Sequence, residues 1–286
     1  MKYNKAFIFS VAIVSSFIIT ARVTATEPES IHLNDGIDNI NITKIDDGVY
    51  LVVHYYNKNA PCNSLLVKLP NNNFIWCGTP CNPYATRVVY EWICKNFGEP
   101  NLVEINTGFH EDNLGGNEFL LAKSVPVYGS DLTAKLIRDR GLQEKERILR
   151  SYKEKGDTGR YDLYKGITFQ PPNHTFEIAK GLTLNIADEI IEVYYPGPSH
   201  APDNVVVYFS KRRILHGGCM IKALSAVTAG YTADADVKQW PNSVQRVLEK
   251  YNNARIVVPG HGEYGDISLV KYTIKLIRKV NGEKSE

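Results

Sequence analysis

Short apolar runs separated by polar turns dominate the pattern of hydrophobic and polar positions along the chain. Such runs predict β-strands, and the first half of the chain has them at residues 41–45, 49–54, 64–68, 74–77, 102–106 and 125–128. Residues 84–97 instead repeat their apolar positions with a helical period and stop at Gly98, which predicts a helix. A further helix is predicted from about Gly116.

The second half of the chain has the same kind of pattern. It predicts two helices, at residues 237–250 and 267–281, and strands at residues 182–186, 190–195, 205–209, 213–216 and 255–258. Between the halves, 13 of the 23 residues from 138 to 160 are charged, which predicts an insert of exposed helices at about residues 130–165. Two successive series of strands interleaved with helices predict an α/β sandwich, and we expect a single domain.

The first 25 residues have the pattern of a removable export signal. Two lysines precede an uncharged apolar run at residues 6–20, and Val23-Thr24-Ala25 offers a cleavage site of small residues. The run is shorter than the roughly 20 residues that span a bilayer, and an uncleaved anchor is the alternative. We therefore expect a signal peptide at residues 1–25, a mature domain at residues 26–286 and a periplasmic location.

The composition and charge of the chain are typical of a globular protein and argue against binding to nucleic acid or to an anionic membrane. Of the 286 residues, 43% are hydrophobic and 22% are charged, and these proportions are typical of globular proteins. The formal charge is +2, and removal of the signal takes away three basic residues and no acidic one, which leaves −1. A charge this small does not favour nucleic acid or an anionic membrane. We expect neither as a partner of the exported protein.

Several candidate metal ligands lie just outside predicted strands. His110 and Asp112 follow the strand at residues 102–106, and Cys219 and His261 each follow a later strand. His200 lies in a loop rich in glycine and proline. Taken singly, each histidine could equally be a loop residue that is hydrogen-bonded to the backbone and binds no metal. A sandwich brings such loops to one edge, and histidine, aspartate and cysteine together are typical zinc ligands. The sequence therefore predicts a zinc site.

Three motifs resemble those of the class B metallo-beta-lactamases. Residues 197–208 read GPSHAPDNVVVY, residues 217–222 read GGCMIK, and residues 259–262 read PGHG. The resemblance extends from about residue 41 to the C-terminal helix. It is greatest to the first, broad-spectrum subclass, and within it to the São Paulo type, which also has an enlarged helical insert. It implies a four-layer αβ/βα sandwich, with two mixed sheets flanked by helices.

The resemblance also implies two sets of zinc ligands. One is complete and consists of Asp112, Cys219 and His261. The other needs three histidines, but only His110 and His200 are present, because Gly108 stands where the third is expected. We therefore expect one tightly bound zinc ion and a second that is weak or absent. His54 and His216 are the alternatives for the missing ligand.

A zinc-dependent hydrolase of β-lactam antibiotics is the implied function. Asp112 and His110 are then the catalytic residues, and Lys222 and Tyr231 contact the substrate. The protein is expected to act as a monomer on this small molecule. One alternative is another hydrolase of the same fold, such as a thioesterase or lactonase, although the predicted ligand Cys219 argues against it. A zinc-binding pseudoenzyme is the other.

Four cysteines remain besides Cys219. Export to an oxidising compartment allows disulfides. If residues 70–73 form a four-residue hairpin loop, Cys62 and Cys81 face each other just beyond the paired strands. We therefore hypothesise a Cys62–Cys81 disulfide. The alternative is that all four cysteines are small buried apolar residues.

Overall fold

The computed structural model describes residues 30–57 and 61–282, which form two β-sheets that pack face to face. The strands of the first sheet are β1 (Ser30–Asn34), β2 (Asn39–Asp46), β3 (Val49–His54), β4 (Cys62–Leu69), β5 (Asn73–Cys77), β6 (Asn101–Ile105), β7 (Val127–Ser130) and β8 (His174–Phe176). Those of the second sheet are β9 (Leu182–Ile186), β10 (Glu189–Tyr194), β11 (Val206–Phe209), β12 (Ile214–Gly218) and β13 (Ile256–Pro259). The helices are α1 (Pro83–Phe97), α2 (Glu111–Leu114), α3 (Asn117–Ala122), α4 (Asp131–Glu154), α5 (Thr158–Gly166), α6 (Trp240–Lys250) and α7 (Ser268–Val280).

Both sheets are mixed. In the first sheet the strands lie in chain order, with β1 to β5 antiparallel and β5 to β8 parallel. The second sheet has the order β13-β12-β11-β10-β9, and only its β12–β13 pair is parallel. Two neighbouring parallel strands must be joined by a crossover connection, and helices α1 to α6 all lie within such connections.

The apolar core explains the layering. Side chains from both sheets meet between them, among them Leu65 and Ile75 from the first sheet and Ile191, Val207 and Val258 from the second. The outer face of the first sheet packs against α1 and α3, and that of the second packs against α6 and α7. Because both faces of the central strands are covered, β4, β5, β11, β12 and β13 are buried along nearly their whole length. The predicted four-layer αβ/βα sandwich is confirmed.

Helices α4 and α5 cover one edge of the sandwich. Their apolar residues, including Ile137, Ile148 and Tyr164, pack against Phe109 and Leu114 from the segment that follows β6. Most of the remaining α4 residues are charged, and eight of these charged residues are exposed. The pair of helices is thereby fixed directly over the segment that carries the first two candidate zinc ligands.

The β4–β5 hairpin is one residue tighter than predicted. Leu69 pairs with Asn73, so the loop contains three residues rather than four. Asn71 and Asn72 adopt left-handed backbone conformations, with φ of 59° and 55°, and these reverse the chain within the shorter loop. The expected register of the two cysteines that flank the hairpin is therefore wrong by one position.

Two strands have no clear signal in the sequence. β1 lies at the edge of the first sheet with its residues at least partly exposed, and β8 has three residues, two of them exposed. Neither strand buries enough apolar surface to produce a marked pattern. Within residues 30–57 and 61–282, no helix is long and apolar enough to cross a membrane. The predicted signal peptide lies outside the described residues.

Candidate metal centre

Loops from both sheets meet at one edge of the sandwich. The loop after β6 carries His110 and leads to Asp112 at the start of α2. Cys219 directly follows β12, and His261 lies two residues after β13. His200 lies on the connection from β10 to β11, with its ring against that of His110. The structure thus brings together the five side chains that the sequence predicts as zinc ligands.

Asp112, Cys219 and His261 form the tightest cluster. The Oδ2 atom of Asp112 lies 3.2 Å from the Sγ atom of Cys219 and 3.0 Å from the Nε2 atom of His261. The remaining distance, from Sγ to Nε2, is 3.8 Å. Asp112 and Cys219 are buried, and His261 is partly exposed. Three different donor atoms therefore point at one small volume.

The charges of these three groups are linked. Burial alone would raise the pKa of Asp112, but the hydrogen bond from His261 outweighs it and holds that pKa below its ordinary value. Burial alone would lower the pKa of His261, but its contacts with Asp112 and Cys219 raise it well above the ordinary value. Burial and the neighbouring carboxylate raise the pKa of the Cys219 thiol. A proton on His261 thus supplies positive charge between two acidic groups.

Outer contacts orient these candidate ligands. The Nδ1 atom of His261 lies 3.0 Å from the carbonyl oxygen of Pro61. Since a carbonyl only accepts, Nδ1 carries a proton and Nε2 faces Asp112 and Cys219. The side-chain amide of Asn113 donates to Asp112 Oδ1 at 2.7 Å and lies 3.7 Å from the Cys219 sulfur.

His110 and His200 lie beside this cluster. Both are buried, and their ring centroids are 5.2 Å apart in an edge-to-face arrangement. The Nε2 atom of His110 lies 3.0 Å from Oδ2 of Asp234, whose other oxygen pairs with Arg140 of α4. Despite burial, the bond to Asp234 raises the pKa of His110. Burial and the charge of Lys222 lower the pKa of His200 well below its ordinary value, so its ring is neutral.

Position 108 is closely surrounded. A Cβ atom on Gly108 would lie 2.6 Å from Nδ2 of Asn204 and 3.7 Å from Nδ2 of Asn113. The Asn204 side chain donates to the Thr107 carbonyl at 3.3 Å and accepts from the Ala201 N–H at 2.7 Å. It therefore joins the two loops that carry His110 and His200 (residues 107–110 and 199–204), and occupies space that a larger side chain at position 108 would need.

A cavity of about 810 Å³ opens beside the two histidines and the three-residue cluster. Both predicted substrate-contacting residues line it, together with Arg147 of α4. Lys222 is buried, with its ammonium 5.1 Å from the centre of the Trp240 ring, and burial lowers its pKa. Tyr231 lies beneath the Arg147 guanidinium at 4.9 Å, with its ring 5.8 Å from that of His110.

The two histidines considered as replacement ligands have other surroundings. The Nδ1 atom of His54 accepts from the backbone N–H of Cys81 at 3.1 Å, and its Nε2 lies 3.6 Å from an oxygen of Asp38. His216 is buried within β12, where its ring lies next to Gly78. These contacts place both side chains apart from the pair formed by His110 and His200.

Three polar residues at the site are not predicted from the sequence. Asn204 belongs to the 197–208 motif, so a signal for it is present. Asn113 directly follows Asp112 and is also open to sequence reasoning. Asp234 is 124 positions from His110, in a segment with no motif, and only the folded chain brings the two together.

Comparison with known proteins places the chain in a family. No family model matches it. A metallo-beta-lactamase type 2 of Bacteroides fragilis is 30% identical over 246 residues, which cover 85% of this chain and 87% of that protein. The chain belongs to the metallo-beta-lactamase family. Another member, the metallo-beta-lactamase type 2 of Pseudomonas aeruginosa, is 31% identical over 240 residues, or 83% of this chain and 84% of the relative.

Solved structures of the family agree with this assignment. A metallo-beta-lactamase from Pontibacter korlensis matches with a TM-score of 0.71 and 33% identity, over 84% of this chain and 99% of that chain. The DIM-1 metallo-beta-lactamase exposed to ceftazidime matches with a TM-score of 0.69 and 30% identity, over 84% of this chain and 97% of that chain. The family relationship thus extends over nearly all the described residues.

Proposed function

We propose that the protein is a zinc-dependent hydrolase that opens the amide bond of β-lactams. The observation that carries the proposal is the cluster of Asp112, Cys219 and His261, whose oxygen, sulfur and nitrogen atoms lie within 4.8 Å of one another at the cavity. Relatives named metallo-beta-lactamase support the same class of substrate.

The donor atoms of this cluster fit a zinc ion. Zinc binds such donors in a tetrahedral arrangement at about 2.0–2.3 Å, which separates the ligand atoms by roughly 3–4 Å. The three separations here are 3.0, 3.2 and 3.8 Å. When bound, zinc supplies a Lewis acid that polarises a carbonyl group and activates water.

The chain's own side chains provide the rest of the chemistry. The carboxylate of Asp112 and the ring of His110, which is fixed by Asp234, orient the attacking water. Lys222 offers an ammonium to the carboxylate of a β-lactam, and Tyr231 with Arg147 forms a wall of the cavity.

The pair His110 and His200 provides a weaker zinc site. Only two imidazoles are available there, and a protein site for zinc usually has at least three protein ligands. Loss of one ligand leaves more of the coordination sphere to water and lowers affinity. We therefore infer one tightly bound zinc ion per chain at Asp112, Cys219 and His261, with the second bound weakly.

Export and oligomeric state belong to the same proposal. The apolar segment before residue 26 would direct the protein across a membrane and be cleaved, which leaves residues 26–286 as one domain in the periplasm. The cavity lining that the structure describes includes the candidate ligands and the substrate-contacting residues, and we infer that the protein acts as a monomer. The protein would protect its host by destroying β-lactam antibiotics.

Hydrolysis assays test the proposed activity. Purified protein with excess zinc is given a penicillin, a cephalosporin and a carbapenem, with a thioester and a lactone for comparison. We expect turnover of at least one β-lactam and no turnover of the thioester or the lactone. The substitution Cys219→Ser should reduce kcat/KM by at least 100-fold, because it removes a predicted zinc ligand. Cys94→Ser, which changes a partly exposed cysteine on α1, serves as the matched control.

Zinc counting completes the test. Equilibrium dialysis should give one tightly held zinc ion in the parent protein and in Cys94→Ser, and a much weaker one in Cys219→Ser. Zinc binding without hydrolysis of any β-lactam would indicate a pseudoenzyme. Hydrolysis of only the thioester or the lactone would show that β-lactams are not the substrate class. Two tightly bound zinc ions would contradict the proposal that the site at His110 and His200 is weak.

A further inference from the structure

A second cluster of reactive side chains lies behind the proposed zinc site. Cys62 begins β4, and Cys81 lies on the loop between β5 and α1. Both are buried, and their sulfur atoms are 3.0 Å apart. His54 of β3 adjoins them, and its ring lies between the two sulfur atoms and the carboxylates of Asp35 and Asp38. The proposed hydrolytic chemistry uses none of these residues.

The geometry favours a disulfide over a metal ion at this cluster. Two thiolates on one tetrahedral zinc ion stand roughly 3.8 Å apart, given zinc–sulfur bonds of about 2.3 Å, whereas the two sulfurs here are 3.0 Å apart. The nitrogen of His54 that adjoins Cys81, Nδ1, already accepts the backbone N–H of that residue at 3.1 Å. Its other nitrogen faces Asp38. The imidazole thus has no lone pair to offer a metal between the sulfurs.

The Cys62 backbone is joined to the proposed zinc ligand His261. The two residues form an antiparallel bridge, and the next N–H along, that of Asn63, donates to the Gly260 carbonyl at 2.8 Å. The Asn63 side-chain amide also donates to the carbonyl oxygens of Pro259 and Gly262, at 2.9 and 2.7 Å. The segment at the start of β4 therefore holds the loop that carries His261.

The same segment sets the orientation of the His261 ring. The carbonyl that accepts from Nδ1 of His261 belongs to Pro61, the residue directly before Cys62. Contacts of this kind fix the tautomer and direction of a metal-binding histidine, and their loss typically costs 10–100-fold in metal affinity. Anything that restrains Cys62 thus restrains the orienting carbonyl.

We propose that Cys62 and Cys81 form a disulfide, and that this cross-link holds the Pro61 carbonyl against His261 and so strengthens zinc binding there. The oxidant is a disulfide, either of a low-molecular-weight thiol or of a dithiol oxidoreductase. One cysteine thiolate attacks it and displaces a thiol, and the second cysteine then displaces the other. The two protons and two electrons of the cysteine pair leave with the two thiols that are released.

Counting free thiols tests the cross-link itself. The protein is purified without reductant, unfolded in denaturant with a chelator, and titrated for thiols, and its peptides are mapped by mass spectrometry. We expect three of the five cysteines to react and the Cys62 and Cys81 peptides to be joined. Reduction should lower the melting temperature by roughly 5–10 °C, because the bridge closes a loop of about 20 residues. Five reactive thiols would overturn the proposal.

Zinc affinity tests the link to His261, and this half of the inference rests on the proposed zinc site. Competition with a chromophoric chelator compares the oxidised protein, the protein reduced by a phosphine, and the double variant C62A/C81A. We expect about 10-fold weaker zinc binding in the last two. Cys77→Ala, which removes a buried sulfur from the neighbouring β5, should bind zinc like the oxidised parent.

The outcomes separate the two proposals. Equal zinc affinity in the oxidised and reduced parent protein would overturn the restraint on His261, even if the disulfide is present. If the double variant fails to fold, this comparison of the oxidised and reduced parent alone tests the restraint. Absence of zinc binding in the oxidised protein would instead count against the proposed function. The thiol count reports on the cross-link in either case.

Discussion

At the scale of single residues, protons compete with the proposed zinc ion for the same donor atoms. His261 holds a proton more strongly than a free imidazole does, because Asp112 and Cys219 lie beside it. The Cys219 thiol also holds its proton more strongly than usual, since it is buried next to a carboxylate. Zinc binding requires deprotonated ligands, so the ion must displace both protons.

This competition predicts a steep dependence of zinc affinity on pH. Both pKa values are raised, so both groups carry protons in the neutral range, and each proton that zinc displaces makes its binding less favourable as the pH falls. We expect the zinc dissociation constant to rise by roughly 10- to 100-fold when the pH falls from 7.5 to 6.5. Chelator competition at fixed ionic strength measures it. Cys219→Ser should bind zinc more weakly and with the shallower slope of a single displaced proton. An affinity independent of pH in the parent would contradict this account.

Motifs predict individual site residues only where the chemistry of the residue itself is the signal. His110 and Cys219 belong to infrequent residue types, with 7 histidines and 5 cysteines in the chain, and Asp112 stands out because it lies two positions after His110. Asp234 is an ordinary acidic residue in its segment, and its role depends on a contact across 124 positions. The sequence contains no local trace of that contact.

At the scale of elements, α4 supports the pair of histidines through Asp234. Arg140 of this helix pairs with Asp234, which in turn contacts His110. The Arg140 guanidinium also lies 4.9 Å from the centre of the Phe109 ring. The helix therefore fixes both the residue that orients His110 and the residue that precedes it.

Removal of the Arg140 charge should selectively weaken the proposed second zinc site at His110 and His200. In Arg140→Met the aliphatic stem can still pack on Phe109, but Asp234 loses the cation that holds it. We expect roughly 10-fold weaker binding of the second zinc ion, with the first unchanged. A zinc titration followed by calorimetry measures both. Arg138→Met, an exposed change on the same helix, is the control, and equal effects of the two substitutions would exclude a role for Arg140.

Elements with one strongly apolar face were predicted well, and the others were not. Helix α1 buries Val89, Trp92 and Ile93 on one side, and its predicted bounds at residues 84–97 agree with Pro83–Phe97 to within one residue. β1 and β8 lack a buried face, and no apolar pattern predicts them. The predicted hairpin loop is one residue too long, because the left-handed conformations of Asn71 and Asn72 have no signature beyond the residue type.

At the scale of the whole molecule, the proposed zinc site connects the two sheets. Asp112 follows a strand of the first sheet, whereas Cys219 and His261 follow strands of the second. The layered fold is predicted from the sequence, chiefly through its family motifs. The closeness of the three donor atoms is not, since it depends on how the two sheets pack.

Metal removal should therefore destabilise the whole domain. Zinc at 100 times its dissociation constant stabilises the folded state by about 2.7 kcal/mol, which corresponds to roughly 5–10 °C in melting temperature for a chain of this size. Calorimetric scans with and without a chelator measure the shift. The variant Cys219→Ser should show little of it, and a parent protein that melts at the same temperature without zinc would contradict a connecting role.

The crowding at position 108 has a consequence for evolution. A single substitution Gly108→His would place its Cβ 2.6 Å from the amide nitrogen of Asn204, the side chain that joins the two histidine loops. Recovery of a third imidazole therefore requires the Asn204 amide to turn aside, a movement that is open to the end of a side chain. The gain of a ligand would then be coupled to the loss of the Asn204 hydrogen bonds that join the loops carrying His110 and His200, so the benefit of this mutation would depend on how well the two loops hold without them.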